Sequence, residues 1–231
     1  MPKLCIDTSL LLAASTCISN EETRYYLNGV FVKPHPEKGV ILAATDGHIL
    51  ACMYDEWGSM DYIDHDVVLT TPWTDKSLKT TNRTSKRVWI DLETGVGDVR
   101  ITPAAWPDGS MDACWPVIPP KQDDHPRDGL VSVEAIKEVT YPDYPRVVPE
   151  HVSRTCKHVA FNSALLTRIT QGARHVSDAR EPVLQIYQDD AHKGDGPLRV
   201  NVLNFDRGFF VLMPVRGKDE VETISKPYWF A

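Results

Sequence analysis

Apolar positions along the chain switch between two spacings. Leu11, Ala14 and Ile18 recur at i, i+3 and i+7, one side of a helix, and Asp7 or Thr8 stands ahead of them as a cap. A helix is therefore expected from there to about Asn20. Tyr25 to Val32, Val40 to Ala44 and Ile49 to Tyr54 are rich in aromatic and β-branched residues and are separated by Pro, Gly and Asp, which predicts three strands. A second stretch opens with strand Val67 to Thr70. Thr71 then serves as cap and Pro72 as the first helical residue, where a missing N–H costs nothing, and the helix runs to about Thr81. Strands Val88 to Leu92 and Asp98 to Thr102 follow, joined by a turn at Thr94 to Gly97. From Pro103 to Arg127 the Pro-rich, charge-rich sequence predicts loops or an insertion. Val131 to Val139 fits strand or helix.

Tyr141 to Pro149 holds three prolines in nine residues, a stiff extended connector and the best place for a domain boundary. Beyond it Val159 to Phe161 reads as strand. Asn162 caps a helix in which Leu165, Leu166 and Ile169 share one side, ending near Gly172. Strands Val183 to Tyr187, Leu198 to Leu203 and Phe209 to Val215 complete a third unit. A helix with three strands thus recurs, with a leading strand, about every 70 to 90 residues, too long and irregular for a solenoid. The fold class is α+β.

A chain of 231 residues with 42% hydrophobic residues can bury a core in one large or two small domains. It shows no apolar run of the roughly 18 residues that cross a bilayer, and its start lacks a basic segment followed by an apolar one. A cytoplasmic protein without membrane contact is expected. The five cysteines are odd in number and have no CxxC spacing, which fits buried free thiols in a reducing compartment.

Net charge is −7, but it is unevenly spread. Lys76, Lys79, Arg83, Lys86 and Arg87 fall in one stretch without an acid, and Lys157, Arg168 and Arg174 in another, leaving a net −15 elsewhere. The polarised body argues against indiscriminate coating of nucleic acid, while its two basic segments suit either solvated helix faces or phosphate contacts.

Four strings are specific: Thr23-Arg24-Tyr25-Tyr26-Leu27-Asn28-Gly29, Ala44-Thr45-Asp46-Gly47-His48, Tyr141-Pro142-Asp143-Tyr144 and Val211-Leu212-Met213-Pro214-Val215-Arg216. In this order they resemble the bacterial DNA sliding clamp family, the beta subunit of DNA polymerase III. Met1 to about Pro149 resembles the family's middle domain, with two half-repeats and an insertion near 103–130. His158 to Arg216 resembles the second half of its last domain, and the first domain has no counterpart. The resemblance implies a DNA-clamp fold of about one and a half clamp domains, residues 1–150 and 151–231, with antiparallel sheets outside and helices lining a ring.

It also implies a hydrophobic pocket that grips short peptides of polymerases and clamp loaders. Carried over motif by motif, the pocket is lined by Leu27, Thr45, Gly47, His48, Leu50, Pro142, Arg146, Val147, Asn162, Val211, Met213 and Pro214. The chain departs from the family at Ile49, where a basic residue commonly follows the histidine, and at Pro145, which stands where the family has an arginine. Arg24, Lys76, Lys79, Arg83, Lys86, Arg168 and Arg174 are the expected contacts to double-stranded DNA, made to phosphates without sequence readout. Family rings hold twelve half-repeats, so three per chain require four copies. A fourth half-repeat hidden within Pro103 to Val139 would require three. Such a compact clamp suggests a bacteriophage by analogy. No cofactor or metal is expected.

Other readings remain. Asp46-Gly47 is first a hairpin signal, and His48 fits a packed core histidine. A clamp-like decoy would keep the pocket and bind a host replication or RNA-processing protein without encircling DNA. An enzyme would use Asp46 and His48 as acid and base, or Asp123-Asp124 and Asp189-Asp190 as metal ligands, but no HExxH, Walker, GxSxG or Cys/His array accompanies them. Gly217 to Ala231 ends in Tyr228-Trp229-Phe230, an apolar tip on a charged tail that packs on the body, occupies a neighbouring subunit's surface or competes with client peptides.

Overall fold

A computed structural model describes residues 3–60, 66–78, 86–101, 127–137, 140–149, 152–153, 159–189 and 196–215. Three units of similar order succeed one another. The first is β1 (Lys3–Asp7), α1 (Thr8–Ser15), β2 (Val30–Pro34), β3 (Val40–Thr45) and β4 (Ile49–Asp55), followed by the short β5 (Ser59–Met60). The second is β6 (Val67–Leu69), α2 (Asp75–Leu78), β7 (Lys86–Asp91), β8 (Val96–Ile101) and β9 (Arg127–Ser132), followed by β10 (Ala135–Lys137). The third is β11 (Val152–Ser153), α3 (Ser163–Val176), β12 (Leu184–Asp189), β13 (Leu198–Val202) and β14 (Gly208–Leu212).

The strands form two antiparallel sheets, one ordered β5-β1-β7-β8-β9 and the other β10-β6-β2-β3-β4-β14-β13-β12-β11. The first two units exchange their leading strands: β1 pairs with β7 and β6 with β2. In the third unit β11 pairs with its own β12. The third unit joins the first through β14 and β4, in register from Gly208 opposite Met53 to Leu212 opposite Ile49.

Alternation decides what each face of the nine-stranded sheet covers. Val30, Val32, Leu42, Ala44, Ile49, Ala51, Met53, Phe210 and Leu212 point into one core, with α1, Ile169 and Ala173 of α3 and the inner side of the other sheet. Their neighbours Phe31, Ala43, Leu50 and Val211 point the other way and build a second cluster with Val68 and Tyr144. Both faces are therefore apolar at the β4–β14 junction, and something besides helices must cover the outer one.

That cover is the proline connector. Rather than a free extended linker, Tyr141 to Pro149 folds into a 3₁₀ turn at Tyr144–Val147 and lies on the sheet. Tyr141 stacks on Phe31 with ring centroids 4.5 Å apart, and Tyr144 meets the same ring edge-on at 6.2 Å.

Several expected elements shift. The first helix ends at Ser15, not Asn20, and Asp7 caps it by accepting from the Ser9 N–H at 2.8 Å. It is buried on nearly all sides because both sheets and α3 surround it, so its leucines form no single stripe. Tyr25 to Leu27 lie in a 3₁₀ turn, Glu22–Leu27, and the strand begins at Val30. Gly29 explains the delay: a Cβ there would stand 2.4 Å from the Leu69 carbonyl oxygen, so only glycine lets the chain cross β6. The second helix starts at Asp75 instead of Pro72, and the turn expected at Thr94 to Gly97 ends at Gly95. Within the stretch expected as strand or helix, Val131 and Ser132 end β9 and Ala135–Lys137 is β10, residues 138 and 139 lie outside the described residues, and Arg127 opens β9.

Val159 to Phe161 is not a strand, though the Ala160 carbonyl accepts from the Val215 N–H at 2.8 Å. α3 runs past Gly172 to Val176. Gly172 sits inside it because Ala13, Thr16 and Phe210 press on that point, where a Cβ would come within 2.7 Å of Thr16 Oγ1. Residues 102–126, the helix end at 79–81, and Cys114 and Cys156 lie outside the described residues.

A buried ion pair ties the two sheets together. Arg87 of β7 donates to the Asp55 carboxylate of β4 at 2.6 Å and through Nε to Cys5 Sγ at 3.3 Å. The Asp7 N–H donates to the same carboxylate at 2.8 Å. Burial disfavours the Arg87 charge, but Asp55 outweighs it and holds the guanidinium above its ordinary pKa.

Candidate functional site

The connector covers the outer face incompletely and leaves a cavity of about 350 Å³ beside it. Four segments wall it. The 3₁₀ turn contributes Arg24, Tyr26 and Leu27, the β3–β4 hairpin Thr45, Gly47, His48, Ile49 and Leu50, the connector Pro142, Asp143, Tyr144 and Val147, and β14 with the residues after it Val211 and Met213.

Local chemistry fixes the hairpin. Asp46 accepts through Oδ1 from the His48 and Ile49 N–H groups at 2.8 and 2.9 Å, an Asx turn, while Gly47 takes φ +91°. Thr45 Oγ1 donates to the Ile49 carbonyl at 2.7 Å and accepts from the Gly47 N–H at 3.0 Å. The Met213 N–H donates to the His48 carbonyl at 2.9 Å, which sets Met213 next to His48 on the rim. Leu27 is placed by its carbonyl, which accepts from the Ser19 N–H at 2.9 Å.

Leu27, Leu50 and Val211 are nearly fully buried and Tyr144 almost so, whereas His48, Arg24, Pro142 and Val147 are open to solvent. The cavity is thus an apolar floor under a polar, partly cationic rim. Burial pushes the Tyr144 hydroxyl upward, and Lys33 lies over that ring at 5.4 Å. Cys52, on the same sheet face, is pushed up to about 11 by burial, with Lys33 and Arg199 pulling against it.

Nine of the twelve expected pocket residues meet at this cavity: Leu27, Thr45, Gly47, His48, Leu50, Pro142, Val147, Val211 and Met213. Arg146, Asn162 and Pro214 are not in its lining. Arg146 is solvent-exposed and ion-paired to Asp143 at 2.5 Å, Asn162 caps α3 by accepting from the Ala164 N–H at 2.9 Å, and Pro214 follows β14 beyond the wall. Tyr26, Ile49, Asp143 and Tyr144, not among the expected pocket residues, join the wall. Tyr26, Asp143 and Tyr144 belong to the specific strings themselves, a signal that was there to be used.

The expected DNA-facing cations divide. Lys76 on α2 and Arg174 on α3 are exposed. Lys86 is buried within β7. Arg168 is not free for phosphate: it is ion-paired to Asp46 and donates to the Thr16 and Ile18 carbonyls at 2.8 and 2.7 Å, closing the end of α1. Arg24 stands at the cavity rim, 3.1 Å from Glu21. Lys79 and Arg83 lie outside the described residues.

The Asp46–His48 acid and base pair fails on geometry. Both Asp46 oxygens are engaged, one by backbone N–H groups and one by Arg168. Asp123, Asp124 and Asp190 lie outside the described residues. Among the described residues, no group of three or more His, Cys, Asp or Glu could hold a metal ion, and no helix is long and apolar enough to cross a membrane.

No protein-family model matches the chain. No curated protein matches either. Solved structures do, and they define the class: the chain has the fold of DNA sliding clamps, two antiparallel sheets with few helices. Similar structures include the DNA polymerase III beta subunit of Bartonella birtlesii bound to griselimycin, at 18% identity and TM-score 0.54, covering 94% of this chain and 66% of that one. The Thermotoga maritima beta subunit is similar at 17% identity and TM-score 0.53, covering 94% and 66%. A Pseudomonas aeruginosa sliding clamp is similar at 15% identity and TM-score 0.56, covering 94% and 67%. The chain spans about two thirds of the length of these clamps.

Proposed function

We propose that the chain is a subunit of a DNA sliding clamp, a non-enzymatic processivity factor that encircles duplex DNA and tethers a polymerase, clamp loader or other client through a short peptide. The observation that carries this reading is the apolar cavity at the β4–β14 junction, on a clamp fold. Its volume falls within the roughly 300–1,000 Å³ typical of ligand pockets. One buried Leu or Phe of a client would contribute about 2–3 kcal/mol there, with Arg24 and His48 at the rim to orient polar flanks.

Residues 1–150 then form one clamp domain of two half-repeats and 151–231 a further half. Four copies supply twelve half-repeats, or three if another lies within 103–139. Among the described residues β9 ends its sheet, and Leu130 on it is 62% exposed. Open edges pair readily, and a closed ring uses two different edges of the chain, of which β9 would be one. Lys76 and Arg174, with Lys79 and Arg83, would meet phosphates, and topology rather than tight binding would keep the ring on DNA.

A second reading is favoured by one observation: Arg168 and Lys86 are used inside the protein, which thins the positive lining. A clamp-like adaptor would keep the cavity and bind its client without DNA. Retention on nicked circular DNA separates the two. The clamp stays on the circle and is lost when the circle is cut; the adaptor is retained on neither.

A further inference from the structure

We infer that the third units of two copies pair about a twofold axis, each taking the other's β11 beside its own β12. The pattern for such a pairing is present inside the chain. In the first unit the strand after the helix, β2, has the second unit's β6 at its side, and in the second unit β7 has the first unit's β1. In the third unit the same place beside β12 is filled by its own β11, two residues long. The first two units are thus each other's mates, and among the described residues the third has none.

Burial records the difference. Val30 and Val32 of β2 and Val88 and Ile90 of β7 face the core and are fully buried, because the two sheets enclose them. Leu184 and Ile186 hold the corresponding positions on β12, opposite Val202 and Val200, and are only partly buried. The helices repeat the contrast. α1 is packed between both sheets, whereas α3 rests on α1 and β14 and leaves Leu165, Leu166 and Val176 partly buried.

A face of this kind is covered in the first two units by a unit of the same build with a leading strand to exchange. The third unit of a second copy supplies both, and a mate identical to itself makes the contact isologous. β1 runs directly into α1, whereas residues 154–162 separate β11 from α3 and span up to about 30 Å, enough for β11 to reach either copy.

For a ring, and resting there on the clamp reading, the consequence is one of parity. The units run third, first, second along the sheets, joined edge to edge through β14 and β4 and then by strand exchange. An odd number of units leaves an exchanging end at the third unit and an edge end at the second, where β9 is the last strand as β4 and β14 are in theirs. Like ends complement one another, so twofold junctions of both kinds close an even number of chains, four for twelve half-repeats. Each twofold reverses the direction of the ring axis, and the four cavities divide two and two between the faces of the ring.

The test is a disulfide between register partners of β11 and β12. Val152→Cys and Asp189→Cys, introduced together in the full chain and oxidised, should give a species of twice the chain mass on a non-reducing gel. It should revert on reduction and yield peptides linked between positions 152 and 189, while the wild-type chain stays at its own mass. The same link within a single chain, or no link, overturns the inference. The native mass of the wild-type particle is an independent reading: an even number of chains is expected, and a single chain or three overturns it. A ring of three leaves the clamp reading standing, whereas a linked pair of chains that forms no ring sinks that reading and not the pairing.

Discussion

Arg168 of α3 is ion-paired to Asp46 in the β3–β4 hairpin across 122 positions of sequence. The contact holds the third unit against the turn that carries Gly47 and His48 to the cavity, and its other two donors close the α1 carbonyls. Replacing Arg168 by Met strands a largely buried carboxylate and two carbonyls. Urea unfolding should show a loss of about 3 kcal/mol, and peptide binding at the cavity should weaken with it. A change below about 0.5 kcal/mol would mean that the pair is ornamental.

The Arg87–Asp55 pair, almost wholly buried, behaves differently because both charges are desolvated. Asp55→Asn or Arg87→Met alone should cost about 3–5 kcal/mol, since each leaves the partner uncompensated. The double replacement Arg87→Met with Asp55→Leu should cost less than the sum of the singles, as read by denaturation of all four proteins in a cycle.

Close approach of α1 and α3 depends on Gly172. In Gly172→Ala the new methyl group meets Thr16 Oγ1 at 2.7 Å and Phe210 at 2.9 Å. The helices must part or the ring of Phe210 must move, at a cost of about 1–3 kcal/mol in thermal or chemical unfolding. Unchanged stability would contradict the packing.

Alkaline pH should destabilise the fold. Burial pushes the Cys17 thiol up to about 12 and Cys52 to about 11, against an ordinary value of 9.0. Above pH 9 the unfolded chain gives up protons that the folded chain keeps, so this stabilisation is complete below pH 9 and lost as pH rises toward those values. Each thiol contributes a slope of up to about 1.4 kcal/mol per pH unit. Cys17→Ala should reduce the slope measured between pH 9 and 11, and an unaltered slope would contradict the assignment.

β3, β4 and β14 were legible in the sequence because they bury both faces, so each is a short, nearly continuous apolar run, bounded by turn residues. Tyr25 to Leu27 lie in a 3₁₀ turn rather than a strand, since aromatic enrichment does not distinguish the two and only Leu27 of the turn is buried. Gly172 looked like a helix end, and only the approach of Ala13 and Phe210 shows why it lies mid-helix. Arg168 illustrates the limit most clearly: a cation on a helix reads the same whether it faces phosphate or a carboxylate, and Asp46 is too distant in sequence for spacing to reveal. The cavity residues came from the family resemblance that the four strings carry rather than from periodicity, with Leu50 and Val147 lying just past two of those strings. Arg146 and Asn162 are not in the wall because one pairs with Asp143 and the other caps α3, while Pro214 lies past the end of β14.

The clamp reading depends on whether copies of the chain close into a ring wide enough for DNA. Projection images of the particle in solution, with its mass determined alongside, test this most directly. A ring of four chains, or of three, around a hole wider than a duplex is the predicted result; a monomer, an open dimer or a particle without a hole would contradict it.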